Sequence, residues 1–293
     1  MHRTGLVGMF LLTVAVGCAS GPFSRPGNGR MAAPATTPRA EQVVAHLNQQ
    51  CRGIQSLEFD RVSIQAKQGV QTFGVNGLMA YQKPRNFRLM ASALNTTYAD
   101  VGSNDREFWF WFNEGDKLQY YCAHDDLPHA RGLALPIHPD WVAEALCIQE
   151  LDPAEQYQVR MGNQRLELVS ETTGPQGQKL QRITTVALSG PNGGRIIAHQ
   201  LRTTDGSEIW SADVTEYQNV GGFAIPRKIT LRCPSQRLEM QFKLDGARIN
   251  SLVPTPQTFA RPNNYQSVNL ARVGPPAAPS GTPQSIQRVR GGE

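Results

Sequence analysis

The sequence has 293 residues, 40% hydrophobic and 18% charged, with a formal net charge of +5. That charge is modest, and Arg61, Arg85, Arg88, Arg160, Arg182, Arg202 and Arg232 are scattered through strand-like runs instead of clustering among aromatics, which excludes nucleic acid as a partner. The N-terminal apolar run, Leu6 to Val16, is far shorter than the roughly 20 residues a membrane-spanning helix needs.

Residues 1–18 read as a targeting segment: His2 and Arg3 give a basic start, the apolar run follows, and small residues surround Cys18. Ala15-Val16-Gly17-Cys18 resembles the lipobox of bacterial lipoproteins, in which the signal peptide is removed before the cysteine and that thiol carries a lipid. The resemblance implies lipidation at Cys18; plain secretion with cleavage at a small-residue site is the alternative. Ala19, in place of aspartate, implies no retention at an inner membrane under the Gram-negative sorting rule. Residues 19–38, mostly Gly, Pro, Ser, Ala and Thr, form an expected flexible tether. Residues 273–293, with Pro275, Pro276, Pro279 and Pro283, form an expected disordered tail. Between them, 39–272 has the size of a single β-rich domain.

Within that domain, Val43, Val44 and Leu47 fit one face of a helix over Arg39 to Cys51, with Gly53 as terminator. Strand-like runs follow at Leu57–Gln68, Gln71–Gln82, Asn86–Ser92, Thr97–Gly102, Arg106–Phe112 and Lys117–Ala123, separated by turn residues, and read as an antiparallel meander. The alternation of the first run slips between Phe59 and Val62, which predicts a bulge. Five consecutive aromatics, Phe108 to Phe112, mark a central strand covered on both faces, with the phenylalanines on one side and Trp109 and Trp111 on the other. After a polar loop at His124–Gly132, Pro136 to Ile148 offers a second helix with Trp141, Val142, Ala145, Leu146 and Ile148 as its apolar stripe, suited to cover one aromatic layer. Seven more strand-like runs lie between Tyr157 and Leu244. About a dozen strands with two helices predict a mainly β (α+β) fold with a strongly curved sheet.

Ile54-Gln55-Ser56-Leu57 after the first helix, the Pro84-Arg85-Asn86-Phe87-Arg88-Leu89 segment, the Phe108-Trp109-Phe110-Trp111 strand, the covering helix and the late Gly222-Phe223-Ala224-Ile225-Pro226-Arg227 together resemble the LolA/LolB family of lipoprotein carriers and receptors. The resemblance implies an unclosed half-barrel of about eleven strands, with helices across the open side and an apolar cavity that accepts acyl chains. Phe73, Leu78, Phe87, Leu89, Phe108, Trp109, Phe110, Trp111, Trp141 and Leu146 are the expected cavity lining, with ordinary core packing as the alternative for each.

Apart from Cys18, the cysteines are Cys51, Cys122, Cys147 and Cys233. Cys122 with Cys147 would tie the second helix to the end of the meander; free buried thiols are the alternative. The spacings lack the Cys-x2-4-Cys arrangement of structural zinc sites, and His124, Asp125, Asp126 and His129 lie in a polar loop and not on one helix face, so neither metal nor cofactor is expected. No catalytic constellation is evident. The expected function is that of a monomeric, membrane-anchored envelope lipoprotein, periplasm-facing at the outer membrane, that binds lipid or lipoprotein acyl chains. The alternatives are a structural lipoprotein with an envelope protein partner, and a hydrolase using the His124–His129 loop.

Overall fold

The computed structural model describes residues 37–93, 96–113, 117–130, 139–153, 155–174 and 177–272. The expectations for residues 1–18, for lipidation of Cys18, for most of the tether and for the tail lie outside the described residues.

The first helix, α1 (Ala40–Cys51), starts after extended Arg39, whose backbone N–H is accepted by the Gln42 side chain at 3.1 Å. It buries Val44, Leu47, Asn48 and Cys51. The chain then makes six consecutive strands: β1 (Ser56–Gln68), β2 (Gln71–Gln82), β3 (Asn86–Ala93), β4 (Thr96–Ser103), β5 (Glu107–Phe112) and β6 (Gln119–Ala123). A 3-10 turn at His124–His129 and the helix α2 (Pro139–Ala145) precede seven more: β7 (Gln158–Met161), β8 (Arg165–Thr173), β9 (Lys179–Ala187), β10 (Ile196–Thr203), β11 (Glu208–Val220), β12 (Phe223–Cys233) and β13 (Leu238–Ile249). A last short strand, β14 (Ser267–Asn269), adds parallel to β6.

Two meanders become one sheet because β13 pairs with β1 across eleven residue pairs, Leu57 with Ile249 through Gln68 with Leu238. The order is β14-β6-β5-β4-β3-β2-β1-β13-β12-β11-β10-β9-β8-β7, and the two end strands do not pair, so the sheet stays unclosed. Among the described residues fourteen strands replace the expected eleven or so. The one without any signal in the sequence is β14, whose three residues are too few for a periodicity. The predicted bulge is present as a register shift between Phe59 and Val62.

The curvature follows from what α2 touches. This helix contacts β4, β10 and β11, and β4 and β10 are seven strand spacings apart in the sheet order. Laid flat, that is on the order of 34 Å at about 4.8 Å per strand, whereas a seven-residue helix is roughly 10 Å long. Only a sheet rolled into a half-barrel brings both wings to one short helix. Helix α2 is shorter than the 136–148 expected. Leu146 still donates to the Val142 and Ala143 carbonyls at 3.2 and 3.3 Å, but Cys147 takes a left-handed backbone (φ 55°) and ends the run.

Cross-strand register sorts the faces, since directly opposed residues share one. Phe59, Ile64, Met79, Tyr81, Phe87 and Leu89 on one wing share the concave core with Trp210, Ala212, Ile229, Leu231 and Met240 on the other, and α2 adds Val142, Ala145 and Leu146. A second cluster forms where α1 sets Val44 and Leu47 on Leu166, Leu168, Val186 and Ile196.

The tryptophans of β5 face the convex side, where no helix among the described residues waits. Their cover is the C-terminal segment after β13. Tyr265 stacks on Trp111 with centroids 4.3 Å apart, and Arg261 lies 3.8 Å over the Tyr121 ring. Gln257 and Thr258 offer carbonyls to Arg88 Nη1 at 2.9 and 3.2 Å. Arg88 in turn grips Asp100 at 2.8 and 3.2 Å, and Trp109 Nε1 donates to Asp100 at 3.3 Å. The second aromatic layer is therefore met by an extended strap and not by α2.

Candidate functional site

The ten residues expected to line one apolar cavity fall into four places. Phe87, Leu89, Phe108 and Phe110 lie on the concave side, and Trp141 and Leu146 reach it from α2. Trp109 and Trp111 are buried on the convex side, beneath the strap. Phe73 and Leu78 line no interior, being 45% and 51% exposed. Phe73 sits near the free end of the β1–β2 hairpin, and Leu78 has the convex parity opposite exposed Met90.

Among the described residues the concave side is packed with side chains from both wings and from α2. Between Trp141, Trp210, Leu231 and Met240 there remains about 10 Å³, the space of roughly one water. The vacancy left by the curved sheet is instead filled by α2, whose Trp141 stacks on Trp210 at 5.5 Å.

A larger space, a cleft of about 700 Å³, opens on the other side of α2, within the usual size of a small-molecule site. None of the ten expected residues lines it, and its walls are mixed, with charged side chains standing beside Tyr81, Pro84, Leu151, Tyr157 and Ile196. Asp140 and Glu144, spaced i, i+4, give α2 one face to the cleft, with Cys147 just past its end, while Val142, Ala145 and the following Leu146 face the core. The β2–β3 turn contributes Lys83 and Arg85, β9 contributes Arg182, and β10 contributes His199. The 149–153 wall is held by α1 through a reciprocal pair: Asn48 Nδ2 donates to the Leu151 carbonyl and Leu151 N–H to Asn48 Oδ1, both at 2.8 Å. On the same wall, Gln149 Nε2 donates to Tyr81 Oη at 3.2 Å, and that hydroxyl donates to the Pro84 carbonyl at 2.8 Å.

At the back of the cleft, Cys147 Sγ lies 3.6 Å from His199 Nε2, while His199 Nδ1 lies 3.2 Å from Thr184 Oγ1 and 3.7 Å from Glu144 Oε1. This has the outline of a thiol, imidazole and carboxylate relay. Burial works against it: desolvation pushes the Cys147 thiol up to about 12 and drops the His199 imidazole to about 3, with the nearby Arg182 charge lowering the histidine further. Thiol and imidazole both rest neutral. An activated thiol needs the opposite setting, electropositive and partly exposed. The cluster is a buried hydrogen-bonding group that seats α2.

That burial predicts an acid sensitivity. Free imidazole titrates near 6.5, whereas His199 in the fold stays neutral down to about 3. Below pH 6.5 the unfolded chain therefore takes up a proton that the folded chain refuses, and stability falls by about 1.4 kcal/mol per pH unit. Glu144, raised by desolvation, works in the opposite sense and offsets part of the loss as it protonates in the fold. Urea titrations at pH 6.5 and 4.5 should show His199→Gln losing about 2 kcal/mol less than the parent over this interval; equal losses would contradict the assignment.

Cys122 and Cys147 do not form the disulfide weighed above; both are free thiols, as are Cys51 and Cys233. Cys122 packs with Phe108, Ala130 and Leu270 at one edge of the sheet, while Cys147 lies in the core beside the far wing. His124 is engaged structurally, its Nε2 being 2.9 Å from the Asn104 carbonyl. Among the described residues no three His, Cys, Asp or Glu side chains stand together as a metal site, and no helix is long and apolar enough to cross a membrane.

Sequence reasoning missed Glu144, Arg182 and His199 as a group. The available signal was slight: Arg182, Thr184 and His199 are polar residues at the concave parity of strands otherwise apolar on that side.

No protein-family model and no curated protein matches the sequence. The fold does have solved counterparts. It is similar to an outer membrane lipoprotein-sorting protein domain from Vibrio parahaemolyticus, with a TM-score of 0.53 at 5% identity over 74% of this chain and 95% of that one. A LolA superfamily protein from Nitrosomonas europaea aligns at 12% identity over 78% and 99% of the two chains with a TM-score of 0.48. A DUF1329 family protein from Desulfovibrio piger aligns at 9% identity over 73% and 93%, with a TM-score of 0.49. The likeness to the Vibrio domain is one of fold.

Proposed function

We propose that this chain is a cell-envelope lipoprotein, anchored through a lipid on Cys18, that binds acyl chains of lipids or lipoproteins in the trough now occupied by α2. The observation that carries the reading is the way α2 is held. Its apolar face fills the half-barrel, while its polar face is attached by ion pairs of moderate length, Arg85 to Asp140 at 3.6 Å and Arg182 to Glu144 at 3.5 Å. Lifting it would uncover an apolar wall that includes Phe110, Leu89, Trp210 and Leu231.

Magnitudes favour exchange over a permanent plug. Burial of Trp141, Val142 and Leu146 contributes roughly 5–9 kcal/mol at about 1.5–3 kcal/mol each. A long acyl chain burying about twelve methylenes contributes roughly 10 kcal/mol at about 0.8 kcal/mol each. The two contributions are of the same order, as exchange between the two occupants requires. The fold shared with the Vibrio lipoprotein-sorting domain supports the reading, which is that of a binder and not an enzyme.

Hydrogen exchange on the full, delipidated chain tests it. Adding a fatty-acyl probe should increase exchange at α2 amides while the β1–β13 ladder stays protected. Absence of uptake, or uptake with α2 protection unchanged, would overturn the proposal.

A further inference from the structure

The charged side chains of the cleft indicate a ligand part other than an acyl chain. We infer that it receives the headgroup of the bound lipid, and that this headgroup is a phosphate ester carrying a primary amine; the inference rests on the acyl-binding reading above. Because one face of α2 looks into the cleft and the opposite face into the apolar core, a chain lying where α2 lies would present its polar end there.

Three cations reach the cleft, and each faces a carboxylate at a distance longer than a charge-assisted hydrogen bond: Lys83 to Glu150 at 4.0 Å, Arg85 to Asp140 at 3.6 Å and Arg182 to Glu144 at 3.5 Å. The Nε of Arg182 is buried and donates no hydrogen bond. Leaving such a donor without an acceptor is costly; its nearest anion is Glu144 Oε1 at 3.5 Å, and once Glu144 leaves with α2 a phosphate oxygen can take that place. Guanidinium groups suit this task, since their planar donors match phosphate geometry.

The rest of the wall selects against a plain anion. Asp140 and Glu144 leave with α2 when a chain takes its place, and Glu150, Asp105, Asp152 and Glu155 remain against the three cations. Glu155 is fixed in place by the Tyr157 hydroxyl, which donates to it at 2.6 Å. This surplus repels a headgroup of net negative charge and accommodates one whose phosphate is balanced by an ammonium.

The test compares palmitate with three phosphate-bearing probes on the full, delipidated chain. The probes are palmitoyl lysophosphatidylethanolamine, palmitoyl lysophosphatidylglycerol and glycerophosphoethanolamine, the last having the headgroup without the chain. The ethanolamine lysolipid should bind at least tenfold tighter than the glycerol lysolipid. Replacing Asp152→Asn together with Glu155→Gln should shrink that ratio to within threefold; should the double variant fail to fold, the comparison on the parent chain decides. Equal affinity for the two lysolipids, or palmitate uptake with neither lysolipid bound, overturns the headgroup inference and leaves the acyl reading standing. Glycerophosphoethanolamine bound as tightly as its lysolipid supports the headgroup site and overturns the acyl reading. Binding of none of them overturns both.

Discussion

Trp109→Ala is expected to lower stability by about 3–5 kcal/mol, the range for truncating a large aromatic that its surroundings cannot collapse around. The site has little room to relax. Trp109 is wholly buried on the convex face of β5, directly across from Gly102 of β4. A Cβ on Gly102 would stand 2.2 Å from the indole ring, so the ring lies flat over a position that only glycine can occupy. Its Nε1 shares Asp100 with Arg88, and removing the indole leaves one oxygen of a nearly buried carboxylate with a partner fewer. In a domain of this size each kcal/mol corresponds to roughly 2–4 °C, so thermal unfolding should shift down by about 6–20 °C. A loss below about 1 kcal/mol would mean that the convex aromatic layer is not a core. Gly102→Val approaches the same contact from the other side and should destabilise comparably, by overpacking.

Ending the chain after Asn250 is the second large effect expected. This deletion removes the strap, and with it the buried Phe259 and Leu270, the Tyr265 stack on Trp111 and the carbonyls that receive Arg88. Two buried apolar side chains at about 1.5–3 kcal/mol each, with an aromatic pair at about 0.5–1.5 kcal/mol, give a loss of roughly 3.5–7.5 kcal/mol. A second consequence is colloidal. Without β14 the β6 edge presents unpaired backbone beside uncovered Trp111 and Tyr121, the kind of edge that pairs with other copies. Denaturant titration and light scattering on the truncated chain check both parts. A truncated chain that stays monomeric with a loss under about 1 kcal/mol would show that the strap is dispensable.

These two predictions concern the face that the sequence showed most plainly and explained least. Five aromatics in a row require two covered sides, and register confirms that Phe108 and Phe110 face away from Trp109 and Trp111. The identity of the cover could not be read locally. Residues 251–266 carry no strand or helix periodicity, and their cohesion comes from contacts such as Arg261 to Glu107 at 3.1 Å, 154 positions away. The helix that looked like the natural cover went to the other side, because the half-barrel offers it a trough reached by both wings.

What the sequence determined by itself was everything that repeats over short range. Alternation at period two placed the strands and the Phe59–Val62 bulge, the apolar stripe of Ala40–Cys51 placed α1, and together they required a large curved β sheet. Long-range packing settled how the hollow is occupied, which residues meet at the cleft, and what becomes of Phe73 and Leu78 at the end and outer parity of β2. The reason is physical. Strand pairing between β1 and β13 joins segments nearly 200 positions apart in the chain, and it alone brings Arg182 of β9, Glu144 of α2 and Lys83 of the β2–β3 turn around one space. Local propensity carries no record of such a closure, since its energy resides in the packing of distant faces and not in the residues of any one segment.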